Sequence, residues 1–147
     1  MTPAAMSLTN AADAVVGRLQ SLSPGQSFST VRAYYPVRDR DQLSQLTVTV
    51  MPRGIERTMN ARGLEQVDYL VDIGVQKKLD GADDDAQVAA MASVVEQVAG
   101  HVAAREYLGG AASAVESRIE TLMSEEHMTS MRVYTGIVNV RLRSWAQ

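Results

Sequence analysis

Apolar residues recur at every second position in two long stretches of the chain. In Leu43–Val50, Leu46, Val48 and Val50 alternate with Gln45, Thr47 and Thr49. In Val67–Leu79, Val67, Tyr69, Val71, Ile73 and Val75 alternate with a row dominated by Asp68, Asp72, Gln76 and Lys78. A period of two places one set of side chains on each side of a sheet, so both stretches predict strands with one buried and one wet face. Pro52 cannot donate to a ladder, so regular pairing should fail there. Gly74 is expected to mark a bulge or the close approach of another chain. Between the two strands, Met51–Arg62 reads as a basic connection carrying Arg53, Arg57 and Arg62. It is much longer than the ~2–5 residues usual in hairpins.

The flanking segments change period. Leu8, Ala12, Val15, Leu19 and Leu22 recur at steps of four and three, predicting a helix over 8–22 that lies on a sheet, capped by Ser7 or Thr9 and ended by Ser23-Pro24-Gly25. Phe28–Tyr35 is a weaker strand, followed by a polar turn at Pro36. Val88, Met91, Val95, Val98 and Val102 predict a second helix from about Asp84 to Leu108, with a capping box at Asp84 and Gln87 and a stop at Gly109-Gly110. Its expected length is roughly 35 Å. Ser113–Leu122 fits either a helix or an edge strand, and its alternation favours the strand; Ser124–Met128 reads as a helical turn. Met131–Leu142 is the last strand, and its apolar parity slips at Thr135-Gly136, which a bulge at Gly136 would reconcile. The expected architecture is a single α+β domain over 1–147, with a mostly antiparallel four- to five-stranded sheet packed against two helices.

Composition narrows the classes. Of 147 residues, 46% are apolar and 21% charged, which is globular; aromatics are only 5%, leaving Val, Ala, Leu and Met to fill the core. With no cysteine, disulfides, thiolate zinc sites and cysteine catalysis are excluded. A net charge of -3 argues against a domain that holds nucleic acid by its phosphates. No apolar run approaches the ~20 residues that span a bilayer, and the first residues lack a secretory pattern, so a soluble protein made inside the cell is expected.

Candidate chemistry is sparse. Only His101 and His127 are histidines: the first flanks a helix stripe and the second sits in a polar turn, and neither has an evident partner for base or metal work. Asp83-Asp84-Asp85 lacks the spaced ligands and closing Glu of a calcium loop and suits a helix start. No nucleophile elbow or phosphate loop occurs, so neither a catalytic residue nor a cofactor is expected. Asp68 and Asp72, four apart on a strand, share a face but stand too far apart to share a proton; a wet sheet face is the plainer reading. Arg53, Arg57 and Arg62 either form a solvated loop paired with Glu56 and Glu65, dock on a neighbouring subunit, or face passing DNA. Trp145 either folds back on the core or anchors a partner.

Val48-Thr-Val-Met-Pro-Arg-Gly-Ile-Glu56 followed by Asp68-Tyr-Leu-Val-Asp-Ile-Gly-Val-Gln-Lys-Lys-Leu79 resembles the tail terminator (tail completion) proteins of long-tailed bacteriophages. Glu126-His-Met-Thr-Ser-Met-Arg-Val-Tyr-Thr-Gly-Ile137 fits a late segment of the same family. The resemblance implies a structural, non-enzymatic subunit of the virion, placed at the tail–neck junction and assembled in the host cytoplasm. It implies a homo-oligomer, a hexameric ring, that caps the tail tube, stops its polymerisation and offers a docking surface to the head connector or stopper protein. Genomic DNA would pass through the lumen without sequence recognition, and no membrane is involved. Within that picture Arg53, Arg57, Arg62 and Trp145 are candidates for the subunit or partner interface, and Asp68 and Asp72 for the lumen wall. The alternatives are another head–tail connector or tail component, a small hydrolytic enzyme using His101 or His127, and a nucleic-acid-binding module using the three arginines.

Overall fold

The computed structural model describes residues 7–22, 28–36, 43–59, 63–79 and 84–146. In chain order these hold α1 (Leu8–Leu19), β1 (Phe28–Arg32), β2 (Leu46–Met59), β3 (Glu65–Lys78), α2 (Asp84–Val102), β4 (Ser113–Thr121), α3 (Glu125–Met131) and β5 (Val133–Ala146). The strands form one five-stranded sheet in the order β1-β2-β3-β5-β4. β1 runs parallel to β2, and the other three pairings are antiparallel. The fold is α+β, as the periodicities predict, with the short α3 as a third helix.

Both long helices lie on one face of the sheet, α1 against β1, β2 and β3 and α2 against β4 and β5. The core between them is built from the alternating rows: Leu46, Val48 and Val50 on β2, Val67 to Val75 on β3, and Tyr134, Val138, Val140 and Leu142 on β5. Val15 and Leu19 face it from α1, and Met91, Val95 and Val98 from α2. Each enclosed Leu, Ile or Val contributes about 1.5–3 kcal/mol. Ser7 caps α1, its Oγ accepting from Asn10 N at 3.0 Å. The stripe predicted to Leu22 leaves the helix after Leu19, and Ser23-Pro24-Gly25 lie outside the described residues. An Asp13–Arg32 ion pair at 2.7 Å ties α1 to β1.

Four expectations need correction. First, β2 does not stop at a loop. Arg53 bulges between Pro52 and Gly54, and antiparallel pairing with β3 then continues to Met59↔Glu65. Most of the expected basic connection is therefore strand, and Arg53 and Arg57 are strand residues. Pro52 stands opposite Val71, which bonds toward β5, so its missing N–H lies on the outer side of β2 and removes no bond of the β2–β3 ladder.

Second, the polar row is not simply wet. Thr47, Thr49, Asp68, Gln76 and Thr135 are buried, as is Met51, so much of the face away from the long helices is covered. Pro36, beyond β1, contributes: a Cβ at Gly74 would lie 4.0 Å from Pro36 Cβ and 3.3 Å from Met51 Cε.

Third, α2 ends at Val102, so it is about 28 Å long. The Tyr107 hydroxyl donates to the Val102 carbonyl at 2.6 Å, and burial pushes the phenol up to about 12. Leu108–Gly110 is a separate 3₁₀ turn. Asp83 lies outside the described residues.

Fourth, neither glycine makes a bulge in the central strands. The β3–β5 register is continuous past Gly74 and Gly136 from Lys78↔Val133 to Glu65↔Ala146. Met131 belongs to α3, so its parity says nothing about β5. Arg132, in the left-handed conformation (φ 56°), turns the chain from α3 into the strand. Gly136 instead permits close packing: an added Cβ would lie 2.7 Å from Val95 Cγ2 and 3.0 Å from Leu122 O.

Candidate interaction surface

On the face opposite the long helices, four strands bring polar and charged residues into rows that cross the sheet. The register aligns Met51, Asp72, Asn139 and Arg118 on neighbouring strands. Arg53 Nε donates to Asp72 Oδ2 at 2.8 Å, Asn139 Nδ2 donates to Asp72 Oδ1 at 2.6 Å, and Arg118 Nη2 donates to Asn139 Oδ1 at 2.9 Å. The chain of bonds thus spans β2, β3, β5 and β4.

A second row centres on Asp68, which is only 3% exposed. Arg143 holds it in a fork, Nε to Oδ1 at 2.9 Å and Nη2 to Oδ2 at 3.1 Å. Arg141 Nη1 reaches both Asp68 Oδ2 at 2.8 Å and Glu56 Oε2 at 2.7 Å. The Arg143 fork and the Arg141 hydrogen bond hold the Asp68 carboxyl below its usual range despite burial; the bond to Glu56 and then that to Asp68 raise Arg141, and the bond to Asp68 raises Arg143. Asp68 is thereby fixed as a carboxylate, with its lone pairs committed to guanidinium groups.

The predicted site residues are thus distributed as follows. Arg53 and Arg57 sit on β2, the first bound to Asp72 and the second to Glu65 through Nη1 and Oε1. Arg62 lies outside the described residues. Asp68 and Asp72 share a face as expected, yet each is neutralised within the subunit; Asp68 is enclosed and offers no free charge to a lumen. Trp145 pairs with Gln66 at the end of β5 and remains 53% exposed, so it does not fold back on the core.

The histidines do structural work. His101 Nε2 lies 2.8 Å from Ser21 Oγ and 2.9 Å from Arg18 O, while Arg18 Nε donates to His101 O, joining the ends of α1 and α2. His127 Nδ1 lies 2.8 Å from Thr135 Oγ1, which anchors α3 on β5. An open depression of about 550 Å³ is lined by Ser44, Lys77, Lys78, Leu79, Gln87, Ala90 and Met91, near the start of α2 and away from the arginine rows.

Arg141 and Arg143 were not singled out by their local sequence, although they carry the second row. The signal was present: Arg141-Leu-Arg143 alternates in phase with Val138, Val140 and Leu142, which places both guanidinium groups on the polar face beside Asp68. Compared with protein-family models and with curated proteins, the chain matches none.

Proposed function

We propose that this chain is a structural subunit of the neck of a long-tailed bacteriophage, a tail terminator that assembles into a ring, caps the tail tube and receives the head connector. The observation that carries the reading is the resemblance of Val48–Glu56 and Asp68–Leu79 to that family. These segments are neighbours in the sheet, and the Arg53–Asp72 bond joins the Pro-Arg signature to the strand that follows it. The polar chemistry of the arginine rows suits a rigid surface: its carboxylates are tied to cations rather than poised to move protons. A sheet with open edges on opposite sides also suits repeated head-to-tail contacts, which close into rings when the rotation allows.

The test is direct. Added to self-polymerising tail tube protein, the purified chain is expected to arrest growth and leave tubes of limited length with a cap at one end. Tubes that lengthen unchanged at saturating amounts of the protein would reject the reading. Labelling of intact particles distinguishes a terminator, at the end of the tail, from a connector fixed to the head.

A further inference from the structure

Two strand edges, on opposite sides of the sheet, are open among the described residues and complementary. The first belongs to β2. Its partner β1 covers only Leu46–Val50, so Arg53–Met59 form the boundary of the sheet among the described residues. The direction of their peptide groups follows from the register. Leu79 N donates to Arg132 O, so odd-numbered residues of β3 bond toward β5 and even-numbered ones toward β2. Leu70, Asp68 and Gln66 therefore take Gly54, Glu56 and Thr58, leaving the N–H and C=O groups of Ile55, Arg57 and Met59 pointing outward. The Ile55 and Met59 side chains are 40% and 67% exposed.

The second edge is β4. Its beginning is covered, since Ala114 N donates to Ala104 O. Beyond that, 116–119 is a regular stretch between two irregularities in the β4–β5 register. Glu116 and Arg118 stand opposite Arg141 and Asn139, the β5 residues that bond toward β4, so Ser117 and Ile119 turn their peptide groups outward.

We propose that these two edges pair between copies of the chain: residues 55–58 of one subunit add to 116–119 of the next, extending the sheet across the subunit boundary. This rests on the ring-forming reading above and assigns its interface. Three successive antiparallel pairings make β2 and β4 run in opposite directions, so a neighbour in the same orientation presents β4 antiparallel to β2. One register satisfies both the pleat and the charges. It sets Ile55 against Ile119 on the helix-covered side, Glu56 against Arg118 on the other, Arg57 against Ser117, and Thr58 against Glu116. A slip of one residue puts side chains on mismatched faces. A slip of two in either direction sets Glu56 against Glu116 or Glu120, and like charges directly opposite are destabilising. Because the edges lie on opposite sides of the subunit, the contact is heterologous and uses each edge once.

The chain has no cysteine, so engineered thiols report cleanly. Thr58 and Glu116 are exposed and, in this register, form a pair with Cβ atoms about 4.5–5.5 Å apart, close to what a disulfide needs. A mixture of T58C and E116C chains under mild oxidation is expected to give an intermolecular disulfide that neither gives alone. M59C mixed with E116C, on opposite faces, should give none. Arg118→Glu is expected to weaken self-association about fivefold per contact, as read by mass photometry. Crosslinking of T58C to itself, association without the T58C–E116C bond, or no association at any concentration would each overturn the edge pairing. Failure of tube arrest with the crosslink formed would instead reject the neck reading and leave the interface standing.

Discussion

A carboxylate with 3% of its surface exposed persists in a sheet only if cations and hydrogen bonds replace its water, and Asp68 takes both from Arg141 and Arg143. Asp68→Asn keeps the shape but removes the charge that organises two guanidinium groups. Both arginines are about 30% exposed and can turn partly to solvent, so the expected cost is about 2 kcal/mol in urea unfolding rather than the larger loss of a fully enclosed pair. Asp72→Asn should cost about 0.5 kcal/mol, because its partner Arg53 is more exposed and Asn139 already shares the site. The pH dependence has a definite sign. The folded Asp68 carboxyl titrates below its ordinary 3.8, so its stabilisation is fully present above that value and disappears as pH falls through the folded value. The stability gap between wild type and Asp68→Asn should therefore be constant from pH 7 to about 5 and narrow below 4. A gap that does not narrow on acidification would mean that packing, not charge, holds the row.

The elements themselves were largely written in the periodicity, and where they were not, a long-range contact explains the difference. The steps of three and four in α1 and α2, and the alternation in β3, depend on one buried face each, and these elements form where the patterns lie, although the helices end at Leu19 and Val102, short of the predicted Leu22 and Leu108. The extent of β2 did not follow from its alternation, because Arg53 bulges and resets the phase; only the pairing with β3 reveals that Arg57 and Met59 continue the strand. The end of α2 was equally hidden, since it depends on a tyrosine hydroxyl five residues on, not on the glycine pair. Gly136 is the sharpest case. Read along the chain it suggested a bulge, whereas it admits Val95 of α2 and the Leu122 carbonyl against β5. Gly136→Ala is expected to destabilise by about 1–3 kcal/mol, because one of the two close neighbours is backbone and cannot withdraw. Adding Val95→Ala should recover only part of the loss, since Leu122 O still lies 3.0 Å from the new methyl. Full recovery in thermal unfolding would place the strain on Val95 alone.

At the scale of the whole molecule, the sheet is longer than its helical cover. β2 and β3 each have 14 residues, roughly 45 Å, while β1 and α1 cover the Leu46–Val50 end of β2 and, among the described residues, leave Arg53–Met59 as an arm with an open side. Such an edge invites pairing with another chain unless something blunts it, and Arg57, Thr58 and Met59 do so only in part. The arm has a signature in hydrogen exchange. In the isolated subunit the amides of Glu56 and Thr58 are bonded to β3 and should exchange slowly, whereas those of Ile55, Arg57 and Met59 point to solvent and should exchange quickly. Assembly through this edge converts the pattern: Ile55 and Arg57, with Ser117 and Ile119 of the adjoining copy, become protected, while Glu56 and Thr58 change little. An assembly held together by Trp145 or by the arginine rows would leave the fast amides fast. Residue-resolved exchange on monomer and assembly therefore separates an extended sheet from side-chain contact between finished faces, because only the former consumes backbone donors that the fold leaves open.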